Sequence, residues 1–70
     1  MAKAILNIEG MSCDHCVAAV DGALKSVEGV SDVQVSLEAN NATVEYDEAV
    51  ATTEKMVFAV EFQGYTATVA

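Results

Sequence analysis

Ala4, Leu6 and Ile8 alternate with Ile5, Asn7 and Glu9, a period of two that predicts a strand with one buried face, ended by Gly10. From about Asp14 to Val27 the apolar positions Val17, Val20, Leu24 and Val27 recur at three- and four-residue spacing. That spacing puts them on one stripe of a helix, and Gly29 is placed to stop it. Val33, Val35 and Leu37 then alternate with polar neighbours, as do Ala42, Val44 and Tyr46, and Asn40-Asn41 between the two runs supplies turn chemistry. These runs predict a hairpin. Thr52 or Thr53 caps a second helix that has Glu54 in its first turn and reaches about Gln63, before Gly64 and a last strand from Tyr65 to Val69. Within that helix, an inward stripe of Met56, Ala59, Val60 and Gln63 leaves Phe58 and Phe62 projecting from the opposite face. The five consecutive apolar residues from Met56 to Val60 also allow a phase that puts one or both rings in the core.

The element order is β-α-β-β-α-β, and Gly29 and Gly64, 35 residues apart, each precede a β-rich run. The chain therefore reads as two β-α-β halves. With right-handed crossovers and both helices on one face, the expected class is α+β: a ferredoxin-like sandwich, a four-stranded antiparallel sheet covered by two helices.

Seventy residues, 53% of them hydrophobic, suffice for one small core, so residues 1–70 are expected to form a single domain. Eleven acidic residues against three lysines give a net charge of -8, which repels a phosphate backbone and excludes nucleic acid as a partner. The same charge opposes docking on an anionic membrane, and no apolar run approaches the roughly 20 residues needed for membrane insertion. The opening segment, Met1 to Glu9, lacks the apolar stretch of a signal peptide, so a cytoplasmic location is expected. Thiols stay reduced there, and two cysteines are then expected to bind metal or do redox chemistry rather than staple the fold. Asp14, Asp21 and Glu28 recur every seven residues along one flank of the first helix. Beside them His15, Ala18, Ala19, Gly22 and Ser26 form a small-residue surface, and the acidic flank is expected to dock on a basic patch of a partner.

The chemistry concentrates in Gly10-Met11-Ser12-Cys13-Asp14-His15-Cys16, between the first strand and the first helix. Cys13 on the loop and Cys16 on the first helical turn can converge, and the unpaired N–H groups of that turn favour thiolate over thiol. A closed zinc site needs four ligands, more than two cysteines and one histidine provide. Two soft thiolates suit a soft d10 ion of low coordination, Cu(I) or Hg(II), and an under-coordinated, accessible ion can be passed on to a partner's thiolates. A dithiol-disulfide oxidoreductase is the competing reading of Cys-x-x-Cys beside a β-α-β unit. Thioredoxin-like proteins, however, place a cis-proline opposite the active pair, and this chain has no proline.

The segment from Gly10 to Cys16, the helix exit Val27-Glu28-Gly29-Val30 and the late Gly64-Tyr65 resemble the heavy-metal-associated domain family over essentially the whole chain. Its members most like this chain are bacterial cytosolic copper chaperones. The resemblance implies a non-enzymatic metallochaperone that holds Cu(I) through Cys13 and Cys16. Its partners would be the amino-terminal metal-binding domains of a copper-transporting P1B-type ATPase and, in some bacteria, a copper-responsive repressor. It implies a monomer, with a copper-bridged homodimer as a further state. Those ATPase domains share the fold, but a chain that begins with methionine and closes on the last strand looks more like the freestanding chaperone. The resemblance also has Met11 tuck beneath the loop and Tyr65 shield the metal. Ser12 falls on the copper side, since zinc- and cadmium-exporting relatives often carry an acidic residue there. His15 is expected to be exposed, with a third-ligand role in a copper-bridged dimer as the alternative. Mercury or zinc handling on the same scaffold is the runner-up function.

Overall fold

The computed structural model describes residues 1–70. Six elements follow in the expected order: β1 (Ala2–Glu9), α1 (Asp14–Lys25), β2 (Val30–Ser36), β3 (Asn41–Tyr46), α2 (Thr53–Phe62) and β4 (Thr66–Val69). The strands form one sheet in the order β2-β3-β1-β4, and every neighbouring pair is antiparallel. The period of two in β1 is realised, with Ala4, Leu6 and Ile8 buried and Lys3, Ile5, Asn7 and Glu9 exposed. Leu6 and Ile8 pack in one cluster with Val20 and Leu24 of α1, Met56 and Val60 of α2, and apolar residues of the other three strands. Both helices therefore cover the same face of the sheet. The other face is polar and carries Lys3, Asp32, Gln34, Thr43 and Glu45.

The boundaries differ from the sequence expectation in a few places, each with a local cause. α1 ends at Lys25 rather than near Val27, because the Ser26 hydroxyl donates to the Ala23 carbonyl at 2.6 Å and the Val27 N–H bonds three residues back to Leu24. That tightened turn closes the helix before Gly29 is reached. Leu37 lies outside β2, in the hairpin loop, where Asn40 adopts φ +55, while Asn41 opens β3 opposite Ser36. Tyr65 precedes β4 rather than starting it. At the start of β2 the register slips around Ser31, whose hydroxyl donates to the Glu45 carbonyl at 3.0 Å in a β-bulge.

Thr52, not Thr53, caps α2, its hydroxyl accepting from the Lys55 N–H at 3.2 Å. The phase of α2 follows the expected stripe through Met56 and Val60, which are fully buried, and half-buried Ala59, but not Gln63, which is exposed at the cap just beyond the helix; Phe58 and Phe62 are 71% and 79% exposed. The alternative with rings in the core does not occur.

Gly29 sits at φ +95, and a Cβ there would meet the Val50 side chain at 2.9 Å; its carbonyl also accepts from the Asp47 N–H at 2.7 Å. Gly29→Ala is expected to lose about 1–3 kcal/mol of unfolding free energy. Urea titration would show this as a lower midpoint, and an unchanged midpoint would contradict it.

Candidate metal centre

Gly10 ends β1 at φ +100, turning the chain into the loop that precedes α1. Met11 follows and is only 8% exposed, one of the residues of the core cluster, so its side chain anchors the loop from below. Cys13 occupies the position just before the first helical residue, in extended conformation, and its side chain makes no capping bond. Its carbonyl accepts from the Cys16 and Val17 N–H groups at 3.0 and 3.2 Å, which begins the helix. The loop thiol and the helical thiol thus arrive on the same side, with Sγ atoms 3.7 Å apart, and both are free. Cys13 is exposed, whereas Cys16 is half-buried and packs against the core.

Tyr65 completes the surroundings from the other end of the chain. Its ring lies over Gly10, where a Cβ would come within 3.3 Å of Cδ1, so the glycine makes room for the ring. Hydrogen bonding from the Tyr65 phenol is the largest cause that lowers the Cys16 thiol to about 6, from an ordinary value near 9. The Ser12 backbone and Cys13 add to the lowering, and burial opposes it. The same bond raises the Tyr65 phenol, because its proton is held by the thiolate. The Ser12 hydroxyl lies 4.0 Å from the Cys16 sulfur. The site therefore offers one thiolate near neutral pH beside a second, accessible thiol. Tyr65 was visible in the sequence only through the family resemblance, since nothing in the strand pattern distinguishes a ring over the loop from one packed at the edge of the core.

The effect of Tyr65 on the Cys16 thiol has a measurable consequence. In a Cys13→Ser background, Tyr65→Phe is expected to shift the pH midpoint of Cys16 alkylation upward, because the thiolate loses its main donor. Rates followed with iodoacetamide from pH 5 to 9 test this, and coincident profiles would show that the phenol does not act on the sulfur.

The remaining candidates fall outside this pair. His15 is exposed, and no three His, Cys, Asp or Glu side chains gather where they could hold a metal ion. A shallow cleft of about 420 Å³ beside the loop is lined by residues that include Glu9, Gly10, Met11 and Asn40, and by neither cysteine. The expected acidic flank of α1 is smaller than its seven-residue spacing suggested. Glu28 lies beyond the end of the helix, and Asp21 pairs with Lys25 at 3.1 Å, which leaves Asp14 as its unpaired carboxylate.

The model of the heavy-metal-associated domain matches residues 5–66, nearly the whole chain and all of the site just described. The chain belongs to the heavy-metal-associated domain family. Among curated relatives of this domain, the copper chaperone CopZ of Staphylococcus aureus is 45% identical over 65 residues, 93% of this chain and 96% of the relative. Among solved structures, a CopZ metallochaperone superposes with a TM-score of 0.92 at 42% identity, covering 96% of this chain and 100% of the other. A copper binding domain from HMA7, a P-type ATPase, gives a TM-score of 0.97 at 31% identity, with 100% and 95% covered. The expected ferredoxin-like arrangement is thus that of this heavy-metal-associated domain and of the solved structures on which it superposes. No helix is long and apolar enough to cross a membrane.

Proposed function

We propose that this heavy-metal-associated domain, taken as one unit over residues 1–70, is a cytosolic copper chaperone. It carries Cu(I) between Cys13 and Cys16 and delivers it by thiolate exchange to a metal-binding domain of a copper-transporting P-type ATPase. The observation that supports this most is the convergence of two free thiols at 3.7 Å with no third ligand gathered beside them. A soft d10 ion accepts such a pair, whereas a closed zinc site does not form from it. An ion held by only these two sulfurs would keep one side open to a partner's thiolate. Cys13, the exposed sulfur, is the one an acceptor reaches first, and Cys16, held by Tyr65 and the helix, is released last. The ion moves by exchange of one thiolate for another, so no substrate is transformed and no electron is transferred.

The net charge of -8 favours a basic acceptor surface, and with α1 contributing little unpaired charge, the steering is a property of the whole molecule. The similarity to a copper binding domain of a P-type ATPase supports a second reading, in which the same site serves as such a domain and receives the ion rather than bringing it. A copper-responsive repressor as acceptor, and a copper-bridged homodimer in which His15 adds a ligand, are further forms of the same exchange.

Competition against a Cu(I)-specific chelator under anaerobic, reducing conditions tests the proposal, with Zn(II) and Hg(II) titrated in parallel and insulin reduction assayed alongside. One Cu(I) bound far more tightly than Zn(II), without insulin reduction, is the expected result. A dissociation constant for Cu(I) no tighter than about micromolar would end the proposal.

A further inference from the structure

Phe58 and Phe62 stand one turn apart on the outer surface of α2, and together they expose on the order of 300 Å² of ring, within the range of a functional apolar patch. Neither ring helps to hold the fold, since α2 is anchored by Met56 and Val60. The same surface carries exposed Glu54 and Glu61, at four- and three-residue spacing from Phe58, so carboxylates line one side of the rings. The one cation of the helix, Lys55, reaches back to the Val50 carbonyl at 3.5 Å, toward the turn before α2. The ridge ends at Phe62, three residues before Tyr65.

From this arrangement we infer that the outer face of α2 is a docking surface for a basic amphipathic helix of a protein partner. Phe58 and Phe62 pack into its apolar stripe, and Glu54 and Glu61 pair with its flanking lysines or arginines. Two aromatic knobs one turn apart match the spacing of an apolar stripe on another helix. The occupant is identified by charge. A second copy of this chain would set Glu54 and Glu61 against their own counterparts within a protein of net charge -8, and an anionic lipid surface would be repelled in the same way. A cationic partner gains from both features. The surface is separate from the thiol pair and engages its partner with or without metal.

The probe is a synthetic helix of about 15 residues with leucine on one face and lysine on the other, titrated into the isotope-labelled full chain and followed by NMR. A control peptide has serine in place of leucine. Shift changes centred on Glu54, Phe58, Glu61 and Phe62 are expected, with the control peptide binding at least about tenfold more weakly and raised salt weakening both. Phe58→Ser/Phe62→Ser is expected to lower affinity at least about tenfold, and Glu54→Lys/Glu61→Lys to weaken binding and reduce its salt dependence. Both variants change only exposed positions, and thermal melting checks that they fold. Shift changes centred on α1, or an affinity unmoved by either variant, would overturn the inference. So would self-association through α2 in sedimentation, or binding to phosphatidylcholine vesicles that the phenylalanine variant abolishes.

Discussion

Cys13→Ser is expected to weaken Cu(I) binding by more than the 10–100-fold that loss of a mere supporting partner produces, and to leave the fold intact. A serine hydroxyl is a hard donor that stays protonated at neutral pH, so the ion would keep one soft ligand of two. Cys13 is exposed and occupies the capping position of α1 without making a capping bond, a position where serine is among the preferred residues. Stability should therefore hold or rise slightly while copper affinity collapses. Cys16→Ser should lose copper just as severely, with a small loss of stability because that side chain packs against the core. Chelator competition paired with thermal melting separates the two quantities. A single-serine variant that keeps wild-type affinity would mean that the ion lies elsewhere.

The second large effect is expected at Met11, where the same side chain supports the loop and fills the core. Met11→Ala should cost about 2–4 kcal/mol, as buried methionine truncations do. A domain of this size holds only about 3–5 kcal/mol in all, so the variant should be substantially unfolded at 37 °C. Met11→Leu keeps nearly the same volume and should cost less than about 1.5 kcal/mol. The pair distinguishes packing from ligation, since leucine has no sulfur. Melting temperature and Cu(I) affinity should both survive in Met11→Leu. A variant that melts normally but loses copper would make the thioether a ligand.

The sequence and the structure agree most closely where one physical rule acts alone. Alternation in β1 and β3 located the buried face because a strand against two helices must bury every second residue. The thiol pair was legible from the junction of a glycine-ended strand with a helix start, because a loop residue and a first-turn residue three apart converge. The family resemblance was needed for Tyr65, which acts across 49 residues of sequence from Cys16, a distance over which periodicity says nothing. The end of α1 was misplaced because a local bond from Ser26 outweighed the apolar stripe that continues to Val27. The acidic flank shrank for two reasons that spacing does not reveal: that early helix end, and an ion pair between Asp21 and Lys25. The phase of α2 was open because five apolar residues in a row satisfy two phases, and only the packing of Met56 and Val60 against the sheet chose one.

Transfer itself is the most direct test of a carrier built on two ligands. The Cu(I)-loaded protein is mixed, without oxygen, with the apo form of a metal-binding domain from a copper-transporting P-type ATPase, with excess chelator holding free copper negligible. The two proteins are then separated by charge and their copper is measured over time. Partition of copper between the proteins within seconds, at a rate set by protein concentration, slowed by salt and lost in Cys13→Ser, is the result predicted. Copper that stays on the protein, or that moves only as fast as it dissociates into solution, would contradict a chaperone that works by thiolate exchange.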